Sequence, residues 1–180
     1  MGVAEADLIL DAGTDGAITA GNITLDLAQG QLTITNAASL AVTGNISAND
    51  LITTDGTATT VSLTGSTNQF TADVDFLNSG NVILGDGGGD TFLFTGGLAF
   101  TGGATNNLDS AITSTNTDVN LGIGGTTLDG TTSIDTGAGA GTITFGGTLD
   151  GTENLTLTAG AGNIDFDGAV GTTSLGAVTI

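Results

Sequence analysis

Gly125-Thr126-Thr127-Leu128-Asp129-Gly130-Thr131 and Gly146-Gly147-Thr148-Leu149-Asp150-Gly151-Thr152 carry one pattern twice, with Leu128 and Leu149 21 residues apart. The match runs on through Ala138-Gly139-Ala140-Gly141 over Ala159-Gly160-Ala161-Gly162, and ends with Ile143 and Phe145 over Ile164 and Phe166. Gly168-Ala169-Val170-Gly171 opens a weaker third copy. Upstream, Leu108-Asp109-Ser110 precedes Leu128-Asp129-Gly130 by 20 residues, and before that the spacing is irregular. The segments 125–145 and 146–166 are therefore the clearest repeats. A fixed period of this size is the signature of a stacked, quasi-linear architecture.

The units are built from short alternating stretches: Ile23-Thr24-Leu25, Leu32-Thr33-Ile34, Val61-Ser62-Leu63, Val74-Asp75-Phe76, Phe92-Leu93-Phe94, Ile143-Thr144-Phe145 and Ile164-Asp165-Phe166. A period of two marks strands with one buried face, and no helical periodicity competes with it. Gly, Asn and Asp punctuate the strands, and Thr fills their outward positions. A 21-residue unit cannot close a core alone, but stacked on its neighbours at about 4.8 Å it can. The expectation is an all-β protein: a single continuous parallel β-solenoid over 1–180, with coils of about 21 residues. Roughly eight or nine coils would make a rod on the order of 40 Å long. The expected core includes Ile134, Ile143, Phe145, Leu149, Leu155, Ile164 and Phe166. Glycines are expected where corners need positive φ. Two immunoglobulin-like sandwiches are set aside, because they call for longer strands and larger core aromatics.

Composition narrows the function. The 180 residues hold 19 acidic side chains and no Lys, Arg, His, Cys, Pro, Trp or Tyr, for a formal net charge of −19. Nucleic-acid binding is excluded by the lack of cations to meet phosphate, and anionic membranes should repel the chain. No stretch is long and apolar enough for a membrane-spanning helix. Met1-Gly2-Val3-Ala4-Glu5 lacks the basic and apolar regions of an export signal, so such a signal is expected to lie on a longer precursor. Zero Cys rules out disulfides and suits a protein exported in extended form.

Gly80-Asn81-Val82-Ile83-Leu84-Gly85-Asp86, Asp90-Thr91-Phe92-Leu93-Phe94-Thr95-Gly96-Gly97-Leu98 and Ile134-Asp135-Thr136-Gly137-Ala138-Gly139-Ala140-Gly141-Thr142-Ile143-Thr144-Phe145 resemble the repeat regions of giant bacterial surface adhesins. The family is the filamentous-haemagglutinin-like and autotransporter-type group. The resemblance covers most of the chain and implies a parallel β-helix, export across the outer membrane, and an extracellular or bacterial cell-surface location.

Catalysis would have to run on carboxylates and hydroxyls alone. No nucleophile–base pair or defined acid–base constellation is visible, so no catalytic residue is assigned and the chain is read as non-enzymatic. Calcium is the natural inorganic partner of so acidic a chain, though no cofactor is required. Gly85-Asp86-Gly87-Gly88-Gly89-Asp90-Thr91-Phe92 nearly matches one nonapeptide of the Ca²⁺-binding β-roll, with Asp86 at a glycine position and no second copy. Asp109, Asp129 and Asp150 each follow the repeated Leu, so stacking is expected to align them in a carboxylate ladder. The candidate metal residues are thus Asp86, Asp90, Asp109, Asp129 and Asp150. Thr33/Thr35, Thr142/Thr144 and Thr156/Thr158 suggest an ice-binding array, but Asn163-Ile164-Asp165 breaks it one unit after Thr142-Ile143-Thr144. Asn22, Asn45 and Asn154 open N-glycosylation sequons of the kind that arise by chance in Asn- and Thr-rich repeats.

The best reading is a structural and adhesive element of an extracellular fibre. Neither terminus reads as a cap, so the expected partner is a second copy joined end to end, or a continuation of the chain. A Ca²⁺-binding module and a trimeric shaft like that of a tail fibre are the alternatives.

Overall fold

The structure is a computed structural model describing residues 7–54, 58–103 and 105–180; the stretch Met1–Glu5 read for an export signal lies outside the described residues. Twenty-three short strands and no helix are found among those residues. They stack in parallel into a β-solenoid of about eight coils, with about 22 residues per coil. This is the fold the repeat predicts.

Each coil turns through three faces. The first face is built from Leu8–Asp11, Gln31–Asn36, Asp50–Thr53, Val74–Phe76, Leu98–Phe100, Val119–Asn120, Ile143–Phe145 and Ile164–Phe166. Ala17–Ala20, Ser39–Val42, Thr60–Leu63, Val82–Leu84, Asn106–Leu108, Thr126–Leu128 and Leu149–Gly151 make the second, which Val170 extends by a single bridge to Leu149. The third comprises Ile23–Thr24, Ile46–Ala48, Thr67–Phe70, Thr91–Phe94, Ala111–Ser114, Thr132–Asp135, Leu155–Thr158 and Val178–Thr179. On the first face the ladder breaks once, between Asp50–Thr53 and Val74–Phe76. There the buried Thr53 hydroxyl accepts the Leu77 amide at 2.8 Å and bridges the gap.

Strands of two to six residues cannot stand alone in water. What holds them is the relation between coils. In coil after coil, the amide of the first inward residue of a strand donates to the carbonyl preceding its equivalent in the next coil. Examples are Ile23 to Asn45 at 2.9 Å, Val61 to Asn81 at 2.8 Å and Val119 to Thr142 at 2.9 Å. Inside, the inward side chains stack in rows. Phe76 lies on Phe100 with ring centroids 4.9 Å apart, and Phe70 on Phe94 at 5.3 Å. Ile134, Ile143, Phe145, Leu149 and Leu155 are all buried, as expected.

Three expectations are corrected. First, Phe166 is 37% exposed and Ile164 only partly buried. Both point inward, and Phe166 stacks on Phe145 at 5.2 Å, but they belong to the eighth coil, on which no coil is stacked among the described residues. Second, the 21-residue register holds on the first face, where Ile143 pairs with Ile164, but not on the second. There Leu149 pairs with Thr126 and Leu128 with Gly151. The repeated leucines are both inward, yet they occupy different inward positions, because corner lengths vary between coils and absorb a two-residue slip.

Third, positive φ explains only part of the glycine content. Gly85 (φ +88) needs its left-handed backbone. Gly168 does not, yet a Cβ there would fall 2.1 Å from the Gly147 carbonyl oxygen one coil below. Glycine at such corners serves close approach of successive coils as much as turning.

Two polar side chains interrupt an otherwise apolar inward row of the second face. Asn106 and Thr126 sit between Val82 and Leu149. Asn106 Nδ2 donates to the Leu121 carbonyl at 2.7 Å, whereas its Oδ1 is buried without a hydrogen-bond partner among the described residues.

Position in the stack therefore sets the cost of substitution. Ile143→Asp should destabilise the chain by several kcal/mol, since it places an unpaired carboxylate in the core. Phe145→Ala should cost about 3–5 kcal/mol, and Phe166→Ala clearly less. Chemical denaturation of the three variants checks this order, and equal losses at Phe145 and Phe166 would contradict it.

Candidate functional site: the acidic corner

The candidate carboxylates gather where the second face turns into the third. In coil 4 this corner is the long loop Gly85–Asp90. Its entry requires Gly85, since a Cβ there would lie 2.2 Å from the Asp109 carbonyl oxygen. Asp90 is buried, and its Oδ2 accepts the Asp86 amide at 2.9 Å, which closes the loop on itself. Asp86 stays exposed.

One coil on, Leu108 pairs with Leu128, so Asp109 and Asp129 follow each other at the same corner. The Asp129 amide donates to the Leu108 carbonyl at 2.9 Å, and Asn107 Nδ2 donates to Asp129 Oδ2 at 2.8 Å. Asp109 lies against Gly130, where a Cβ would come within 1.9 Å of its carboxylate. Desolvation raises the Asp109 pKa above the usual carboxylate value, and the charges of Asp90, Glu153, Asp129 and Asp86 push it further the same way.

Asp150 does not join this ladder. The register slip places it opposite Thr127, not Asp129, which corrects the expected alignment of three carboxylates. Its Oδ1 instead accepts the Thr172 hydroxyl and the Thr173 amide, the latter at 2.8 Å, and these bonds hold its carboxyl below the usual value. The corner thus brings Asp86, Asp90, Asp109 and Asp129 together with Glu153, a residue the repeat pattern did not single out. Among the described residues no group of three or more carboxylates is placed to hold a metal ion.

Elsewhere, side-chain oxygens carry the coil-to-coil ladder through the corners. Asn22 Oδ1 accepts the Asn45 amide at 2.9 Å, Asn45 Oδ1 the Thr67 amide at 3.1 Å, and Asn154 Oδ1 the Ala177 amide at 2.8 Å. These are the three sequon asparagines, and their positions are explained by this structural duty. Asp7, Asp118 and Asn116 do the same for Gln31, Thr142 and Gly139. Each acceptor stands 22 to 24 residues before the amide it receives, which is one coil. The Thr pairs form no continuous array: Thr144 pairs with Asp165, and Thr158 with Asp135.

Comparison of the chain with protein-family models, with curated protein sequences and with solved structures returns no match.

With no cation in the chain, its carboxylates repel one another, and folding brings them closer together. Asp109 and Asp50, both raised chiefly by desolvation, bind protons more tightly when folded. Their penalty is full above the folded pKa and is relieved as pH falls through it towards the unfolded value. Asp150, lowered, acts in the opposite sense: its contribution is lost only as pH falls through its depressed folded pKa. The melting temperature should therefore rise on acidification from pH 8 towards the ordinary carboxylate range, and also rise with NaCl. A melting temperature that falls steadily over that pH range would refute the account, and Asp109→Asn should flatten the rise.

Proposed function

We propose that the chain is a non-catalytic structural and adhesive element of a bacterial extracellular or cell-surface fibre. The observation that carries this reading is the stacking of about eight coils, continuous on the second and third faces, which makes a stiff element roughly 35 Å long. Its ionisable side chains are all carboxylates, and the site they form is an exposed corner, not a cleft with an acid, a base and a nucleophile in register. The resemblance to adhesin repeats points to the same class of role and supplies the bacterial surface as its setting. Each chain encloses its own core on three faces, which favours a single-chain rod over a shaft wound from three chains.

Calcium binding at the acidic corner is the second reading. It draws on one observation, the four acidic neighbours that act on Asp109. Under that reading, millimolar Ca²⁺ raises the melting temperature of the unsubstituted chain more than that of Asp109→Asn. Equal shifts leave the corner as a solvated acidic edge.

Antibodies raised against the folded chain test the main proposal on the cells that produce it. Immunogold label is expected on the outer surface or on fibres projecting from it, and label confined to the cell interior would overturn the assignment.

A further inference from the structure

Among the described residues, successive coils are laddered on all three faces at every interface but one. The exception lies between coils 3 and 4, where Asp50–Thr53 and Val74–Phe76 do not pair on the first face. The two strands enter that face through corners of unequal length. Coil 2 turns onto it with the single residue Asn49, between Ile46–Ala48 and Asp50–Thr53. Coil 3 uses residues 71–73, between Thr67–Phe70 and Val74–Phe76. The amides of Thr71 and Ala72 both donate to the Asn49 carbonyl, at 3.1 and 2.7 Å, so two residues of the longer corner share one acceptor of the shorter.

Polar side chains gather at this interface. In coil 8 the Asp167 amide, just past its strand, donates to the backbone carbonyl of Phe145 at 2.9 Å. In coil 4 the Leu77 amide, at the same place, reaches the Thr53 hydroxyl instead. Thr53 follows Ile34 in the inward row, so a buried hydroxyl stands where the core is otherwise apolar. At the next corner Asn78 is fully buried, and its Nδ2 donates to the carbonyls of Thr59 in coil 3 at 2.9 Å and of Gly80 at 3.1 Å. Its Oδ1 has no hydrogen-bond partner among the described residues, and a buried acceptor without a donor weakens the contact in which it lies. At the entry, desolvation raises the Asp50 pKa and the charge of Asp73 adds to it, so like charges face each other across the gap. Only the second and third faces still join the two coils, with Phe70 stacked on Phe94.

In a stacked fold, stability is approximately a sum of coil terms and nearest-neighbour contacts, so cooperativity divides at the weakest contact. We infer that the interface between coils 3 and 4 is a seam at which the solenoid opens as two cooperative units, coils 1–3 and coils 4–8. One unit unfolds while the other keeps its ladder, because each is paired on all three faces within itself and the seam on only two. The Thr53 hydroxyl is the latch on the unpaired face: it is a side chain doing what a backbone carbonyl does elsewhere, and substitution can therefore remove it. The seam lies inside the stack, so further coils at either end would leave it in place. It is independent of the fibre reading.

Native-state hydrogen exchange, read residue by residue in rising low concentrations of guanidinium chloride, tests the division. The amides of Thr43 and Thr64, which donate to Ala20 and Val42 within coils 1–3, should exchange through one opening. Those of Asn106, Val119 and Leu121, which donate to Gly125, Thr142 and Thr144 within coils 4–8, should exchange through another, with a different free energy and denaturant slope. Thr53→Val keeps the shape of the side chain and removes the hydroxyl. It should raise the opening constant of the less protected group about fivefold, as the loss of one hydrogen bond does, and Thr53→Ser should restore most of that protection. A single opening shared by all five amides would overturn the inference, as would a boundary at another interface or a folded Thr53→Val chain that exchanges like the wild type. The boundary is read on the unsubstituted chain, so the test stands even where Thr53→Val does not fold.

Discussion

The hydrogen bond from an inward residue's amide to the carbonyl of the next coil is the constraint on which the rest depends. No strand is long enough to be stable alone, and no coil encloses a core without its neighbour. The bond fixes the spacing between coils, and that spacing puts Phe76 within stacking distance of Phe100 and Phe145 of Phe166. It also explains the corners. Where the backbone turns and the ladder would lapse, Asn22, Asn45, Asn116, Asp118 and Asn154 extend a side-chain oxygen to the amide above. Where the coils must approach too closely for any side chain, as at Gly168 over Gly147, glycine is required.

Against this ladder stands the charge. With 19 acidic residues and no cation, neither salt bridges nor charge balance contributes to stability. The fold tolerates the load by placing most carboxylates outward or at corners, where water screens them, and by giving several of them backbone amides to accept. The corner of Asp86, Asp90, Asp109 and Asp129 is where this dispersal is least complete, and Asp109 carries the consequence in its raised pKa. The same balance between a neutral, directional ladder and diffuse repulsion acts along the whole stack of coils.

Much of this was legible in the residues. Alternation in Ile143-Thr144-Phe145 and Leu155-Thr156-Leu157 identifies the buried side chains, because a strand has only two faces. The repeat identifies stacking, because a unit that short has no other way to bury its apolar face. The ladder of Asp109, Asp129 and Asp150 was legible only in part. Sequence similarity aligned Leu128 with Leu149, but space aligned Thr126 with Leu149, and a slip of two residues preserves the inward face while moving the acid to a new neighbour. Glu153 entered the corner for the same reason: corner length, not strand pattern, decides which acid meets which.

By itself the sequence determined the class of fold, the period and the identity of the inward residues, since these follow from local alternation and from self-similarity along the chain. It also determined that the chain carries no cationic side chain, so no side-chain salt bridge can form within it. Tertiary structure alone decided the register on each face, the isolation of Asp150, the structural use of the sequon asparagines and the exposure of Phe166. Those depend on how many residues each corner consumes and on where the stack ends, which are properties of the coils in contact and not of any one of them.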